Sequence, residues 1–243
     1  PLVAMVTPLW AFTEWHRAVR NSTEALGGQV RFIAYASDTD PNISEAINEN
    51  EYDVIFLSLP DREDSRLLEL VSRENDRVVV MFRDMSMYGI RSLLGADPVY
   101  IERFLELLVE RGHRRIAFVN HEACNEIFIA RSNGYLEVMK SEGSFRPEYL
   151  IEFSARAKTK LAVEPEQTPP DMTGVLDRLL VLPERPTAVI LANDWAAFGF
   201  LQACAIRGVR IPDEFSIIGM DDSGNLCTLL KPTLSSVAMP FNR

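Results

Sequence analysis

Short apolar runs alternate along the chain with stretches in which apolar residues recur every three or four positions. In the first ninety or so residues the runs are 2–7, 30–36, 54–59 and 78–82, the first stopped by Pro8 and the third by Pro60. Between them, residues 15–27 carry Val19, Ala25 and Leu26 among charges and close on Gly27-Gly28, which predicts a helix with glycine at the left-handed position past its end. Residues 43–50 and 67–72 read as further helices. Strands that are apolar throughout, rather than at every second position, have both faces covered, so this alternation predicts a parallel sheet with helices on both sides.

After a weaker strand at 92–94, the helix predicted over 98–111 keeps Ile101, Phe104, Leu105, Leu107 and Leu108 at helical spacing before Gly112 ends it, and the alternation restarts. Strands are predicted at 116–119, 150–153, 188–191 and 215–219, and helices at 127–140 and 174–182. One more helix runs to Ile206, capped by Asn193 or Asp194 and closed by Gly208. The expected architecture is therefore α/β, two βα halves each built on a parallel sheet. Residues 158–171, with Pro165, Pro169 and Pro170, read as a surface excursion within the second half.

Charge narrows the partners. The 243 residues hold 25 Lys and Arg against 35 Asp and Glu, a net charge of −10, so this polypeptide by itself is repelled by phosphate backbones and anionic lipid. No apolar run approaches the ~18–20 residues that cross a bilayer, and the first residues lack the basic region of a signal peptide; a cytoplasmic protein is the expectation. Cys124, Cys204 and Cys227 are far apart and fit neither a disulfide framework nor a zinc spacing, so buried thiols are expected, with no metal and no cofactor. Phosphate-loop, dinucleotide, serine-hydrolase and zinc-protease motifs are absent, and His16, His113 and His121 are scattered, so catalysis is not expected. His113 lies just past a predicted helix end, where a positive side chain suits the dipole.

In open α/β sheets ligands bind beyond the carboxyl ends of the strands. The residues there are Trp10 and Phe12, Arg83 and Asp84, Asn120, Phe153, Asn193 and Asp194 with Trp195 following, and Asp221 and Asp222. Aromatic faces with guanidinium, amide and carboxylate groups suit a small polyhydroxylated or heterocyclic ligand. Each has a plainer reading: the aromatics as packing residues, Asn193 or Asp194 as a helix cap, Asp221 and Asp222 as turn formers, and Arg131 as a solvated helix residue.

The second half carries a more specific pattern. Gly112-His113-Arg114-Arg115-Ile116-Ala117-Phe118 and Arg131-Ser132-Asn133-Gly134-Tyr135 are followed by Arg185-Pro186-Thr187-Ala188 leading to Asn193-Asp194, then Ile211-Pro212-Asp213, Gly219-Met220-Asp221-Asp222 and Lys231-Pro232-Thr233. This ordered series resembles the lactose/galactose repressor family of bacterial transcription regulators, over the chain from about Gly112 onward. The resemblance implies a periplasmic-binding-protein-like core of two subdomains with an effector cleft between them, divided as 1–95, 96–236 and a return crossover at 237–243. By motif it implies that Arg131, Asn193 and Asp221 contact the effector, with Phe153 as a stacking aromatic and Phe12 as a looser first-loop counterpart; Trp10, Arg83, Asp84 and Trp195 are further candidates. Where the family's fourth strand ends in Asp-Arg, this chain runs Arg83-Asp84.

The expected protein is thus the effector-binding and dimerisation core of a regulator. It binds a small polar metabolite, a sugar above all, without transforming it, and reaches operator DNA only through a headpiece expected before a strand like the first one. Its partners are the effector and a second copy, and no membrane. Asp221→Ala is expected to remove effector binding and leave the fold intact. The alternative is an exported solute-binding protein of a membrane transporter.

Overall fold

The computed structural model describes residues 1–8, 13–37, 39–59, 65–74, 76–94, 97–122, 126–153, 169–223 and 225–238, with backbone alone for 13, 14, 97–99 and 126. They group into two compact units, one drawn from Pro1–Gly95 and the other from Ala96–Lys160 and Gln167–Met239.

The first unit runs β1 (Leu2–Pro8), α1 (Thr13–Ala25), β2 (Gln29–Tyr35), α2 (Pro41–Asn48), β3 (Val54–Ser58), α3 (Ser65–Arg73), β4 (Val78–Met81) and, after a short 3-10 turn, β5 (Arg91–Leu93). All its strand pairs are parallel, in the order β2-β1-β3-β4-β5. Ala4, Val6, Ile55, Leu57, Val78 and Val80 form one face, packed on Ile43 and Ile47 of α2 and Val71 of α3. Continuous burial holds for β1, but β2 departs from the expectation: as an edge strand it buries only Tyr35 and leaves its other residues exposed or half-exposed.

The second unit runs α4 (Asp97–Glu110), β6 (Ile116–Asn120), α5 (Glu126–Ser141), β7 (Leu150–Glu152), α6 (Thr173–Leu180), β8 (Ala188–Leu191), α7 (Asp194–Arg207), β9 (Ser216–Ile218) and α8 (Leu226–Leu229). Its sheet is parallel, ordered β7-β6-β8-β9. Here the apolar runs do cover both faces. Ala117, Val119, Val189 and Leu191 meet Leu176, Leu179, Ala196 and Phe200 of α6 and α7 on one side. Ile116, Phe118, Ala188 and Ile190 meet Ile101, Leu105, Tyr135 and Met139 of α4 and α5 on the other. Because side chains alternate along a strand, one unbroken run serves two helical layers.

Two local readings change. His113 is not a charge at a helix end: its half-buried ring lies between the hydroxyls of Thr187 (2.8 Å) and Ser216 (3.2 Å), and burial lowers its pKa. Residues 226–230, which from sequence alone read as an apolar loop and a possible contact surface, contain a helical turn that buries Cys227 and exposes Leu229. Among the described residues no helix is long and apolar enough to cross a membrane.

Candidate functional site

In the second sheet the chain moves from β6 outward to β7, then returns to place β8 on the other side of β6. The two connections leave β6 and β8 in opposite directions, the topology at which open α/β sheets hold ligands beyond the strands' carboxyl ends. Asn120 and His121 end β6 there, and Ala192 and Asn193 end β8.

Asn120 is fully buried and fixes the start of α5. Its side-chain amide donates to the Phe128 carbonyl and the Ser132 hydroxyl, both at 2.9 Å, and its carbonyl oxygen accepts from the Glu122 backbone N–H at 3.1 Å. It is therefore a positioning residue beneath the edge rather than an open ligand group. With α5 held this way, Arg131 points inward. Its guanidinium donates to the Ala192 carbonyl and, at 2.7 Å, to Asp221 Oδ1, and lies 5.0 Å from the Phe128 ring centroid. Only 3% of the Arg131 side chain and 13% of the Asp221 side chain are exposed, so the solvated helix arginine of the plainer reading is replaced by a buried ion pair.

Asp221 and Asp222 follow β9 with φ of 102° and 49°, left-handed backbone that residues with a Cβ rarely adopt. Asp221 keeps that conformation while its N–H donates to the Val237 carbonyl at 3.0 Å. Asn193 caps α7, its Oδ1 accepting from the Ala196 N–H at 2.8 Å from an extended backbone. The cap uses the oxygen, and the amide N–H pair has no partner among the described residues.

Asp194 does not reach a ligand position. It is fully buried: Oδ2 accepts from the Ser223 N–H at 2.7 Å and the Cys227 thiol at 3.4 Å, and Oδ1 accepts from the Ser236 hydroxyl at 2.6 Å. Burial is the main force pushing its pKa up to about 6, the nearby Asp221 charge adds to it, and the hydrogen bonds oppose it.

The structure thus brings Arg131, Asn193 and Asp221 to one edge. Phe153 is half-buried on the same sheet, its N–H donating to the Asn120 carbonyl at 2.9 Å and its ring packed on the core. Trp195 is half-buried, tilted against Phe198 at 6.2 Å. Arg83 and Asp84 belong to the first unit; Asp84 is exposed, and hydrogen bonds from the Ser86 hydroxyl and from the Ser86 N–H (2.9 Å) lower its pKa. Trp10, Phe12 and Cys124, with most of the 158–171 excursion, lie outside the described residues.

Two residues at this edge were missed. His121 and Glu122 are each 5% exposed, with His121 Nε2 3.3 Å from Glu122 Oε1. The His121 ring stands edge-on to Phe128 at 5.8 Å, and its buried Nδ1 has no hydrogen-bond partner among the described residues. The signal was their place directly after Asn120; treating the histidines as a scattered set hid it.

Residues 105–243 match the family model described as a periplasmic binding protein-like domain. The chain is 28% identical over 199 residues to the probable HTH-type transcriptional repressor ExuR of Bacillus subtilis, covering 82% of this chain and 56% of that protein. It is 34% identical over 116 residues to the HTH-type transcriptional repressor PurR of Mannheimia succiniciproducens, covering 47% of this chain and 31% of that protein. Among solved structures, a regulatory protein of the LacI family from Chloroflexus aggregans superposes with a TM-score of 0.79 at 22% identity, covering 99% of this chain and 85% of that one. A LacI family regulator from Lactobacillus casei, solved with bound sucrose, gives 0.70 at 21% identity over 99% and 86% of the two chains. The chain belongs to the periplasmic-binding-protein-like domain family. The chain spans about half or less of the length of these two repressors, to which it is similar.

Proposed function

We propose that the second unit binds a small polyhydroxylated metabolite, a sugar being the first class to try, at the edge formed by Arg131, Asn193 and Asp221. The observation that carries this reading is the buried Arg131–Asp221 pair beside an Asn193 amide whose N–H groups have no partner among the described residues. A hydroxyl can accept from the guanidinium or amide and donate to the carboxylate, so a polyol keeps all three groups hydrogen-bonded as it displaces water. The sucrose held by the Lactobacillus casei regulator, a protein of the same fold, supports sugars as the starting class.

In the longer protein, a cytoplasmic homodimer, the bound metabolite controls operator binding through a headpiece outside this chain. A ligand shifts such an equilibrium only by its differential affinity for the two forms. Leu229 is 74% exposed while its neighbour Cys227 is buried, which supports α8 as part of the surface where copies meet. The test is a thermal-shift screen of sugars, purines and sugar phosphates on the 243-residue chain. A polyol should raise Tm with concentration in wild type, and on the order of tenfold more of it should be needed for the same shift in Asn193→Ser. A shift only by purines, or an equal polyol shift in the variant, would overturn the assignment.

A further inference from the structure

The geometry points to Asp194 as the positioning residue for Asp221: a buried acid that latches the strained turn at 219–223 to the segment 235–238. The inference rests on the reading in which Asp221 meets the effector, and it concerns what holds Asp221 in place.

Four hydrogen bonds tie the turn down. The Gly219 N–H donates to the Ser235 carbonyl at 2.9 Å, Asp221 N–H to the Val237 carbonyl at 3.0 Å, Asp222 N–H to Ser236 Oγ at 3.0 Å, and Ser223 N–H to Asp194 Oδ2 at 2.7 Å. Asp194 also accepts from the Ser236 hydroxyl, so one carboxylate grips both segments. The fit leaves no slack: a Cβ on Gly219 would stand 2.2 Å from Asp194 Oδ1. Two positive-φ aspartates in sequence persist only where the surroundings over-determine them, and this carboxylate, anchored on the first turn of α7, supplies that constraint.

The latch senses protons. Among the described residues, the groups facing the Asp194 carboxylate are the Asp221 carboxylate, itself paired with the Arg131 guanidinium, the Cys227 thiol from α8, the Ser236 hydroxyl and the Ser223 N–H. Both oxygens accept hydrogen bonds, but the Ser236 hydroxyl can turn to accept, so a proton on Oδ1 is accommodated while the Ser223 bond to Oδ2 remains. Opening the latch returns the carboxyl from its pKa of about 6 to the ordinary 3.8. Opening is therefore hardest at low pH, becomes easier as pH rises from about 4 to 6, and is flat above.

Hydrogen exchange of the 243-residue chain, read at the amides of residues 219, 221, 222 and 223 and corrected for intrinsic rates, tests this without any sugar. In wild type the opening constant should rise on the order of a hundredfold between pH 4 and pH 7. Asp194→Asn, which keeps one acceptor and cannot ionise, should be flat with pH and as protected as wild type at low pH. Asp194→Ala should lose protection at these four amides while Val119 and Leu191 in the sheet stay protected. Should Asp194→Ala unfold instead, the wild-type and Asp194→Asn profiles decide. A flat wild-type profile, or an Asp194→Asn profile that still rises, overturns the latch. A failed sugar screen alongside the expected exchange profile counts against the effector reading and not against the latch.

Discussion

The Arg131–Asp221 pair should make the site part of the fold's stability, and a double-mutant cycle measures by how much. Asp221→Ala leaves a guanidinium that is 3% exposed without the carboxylate 2.7 Å away, keeping only its other contacts such as the Ala192 carbonyl. Removing one partner of a buried pair costs about 3–5 kcal/mol, and a hydrogen bond to a charged group about 1.5–3 kcal/mol. Asp221 retains 13% side-chain exposure, so the lower end applies, about 3 kcal/mol. Alanine gives no relief of backbone strain at φ 102°, because it still carries a Cβ. Arg131→Met keeps a long apolar side chain at this position, and the orphaned Asp221 carboxylate is nearer solvent, so about 2 kcal/mol is expected.

The double variant removes both charges and should cost about 2 kcal/mol less than the sum of the two single changes. Urea unfolding followed by Trp195 fluorescence, in a Trp10→Phe, Trp15→Phe background, reads the unit concerned. Additivity within about 0.5 kcal/mol would refute the reasoning, as would an Asp221→Ala variant as stable as wild type. The sequence-based expectation that Asp221→Ala leaves the fold untouched is thereby revised: loss of binding and loss of stability arrive together.

Gly219→Ala places a methyl 2.2 Å from Asp194 Oδ1 and 2.9 Å from Leu234 Cδ2, so it should lower stability by about 1–3 kcal/mol, visible in the same urea assay. Gly27→Ala, with nothing within 4 Å but φ 74°, should cost only about 1 kcal/mol from strain. For Asp194 the folded pKa is raised, so its contribution is fully present below pH 4 and is lost as pH rises through about 6. Wild-type stability relative to Asp194→Asn should therefore fall by about 3 kcal/mol between pH 4 and pH 7, and a constant difference in paired urea titrations would contradict it. Asn193→Ala removes the α7 cap and should cost about 1 kcal/mol.

The fold of the second unit was legible because one kind of information, unbroken apolar runs between helical stretches, determines both burial and layer order. Edge strand β2 escaped that logic: β-branched and aromatic residues of the same kind sit half-exposed because no strand pairs beyond it. At the site, residue types after strand ends identified Asn193 and Asp221, and the resemblance added Arg131. What one-dimensional reading could not supply was which atom does what. Asn193 and Asp194 are adjacent candidates for the same cap, and only the backbone turn sends one side chain to the α7 amide and the other into the interior. His121 was hidden for the same reason, since its burial depends on Phe128 one helix away.

That division of atoms decides how the effector reading can be tested cleanly. Arg131 and Asp221 are each other's partners at rest, so any truncation there mixes lost affinity with lost stability. Asn193 separates the two, because the cap is made by Oδ1 and a ligand would be held by the amide N–H groups. Serine restores a capping oxygen at the same position, so Asn193→Ser should match wild-type stability within about 0.5 kcal/mol. Its hydroxyl is shorter than the amide it replaces and lacks the N–H pair, so a sugar that depends on that amide should lose affinity on the order of tenfold, the equivalent of one net hydrogen bond. Calorimetry with the sugar that shifts wild-type Tm reads the affinity, and urea unfolding reads the cap. If Asn193→Ser binds that sugar as wild type does, the amide is a cap and nothing more, and the ligand edge must be drawn elsewhere.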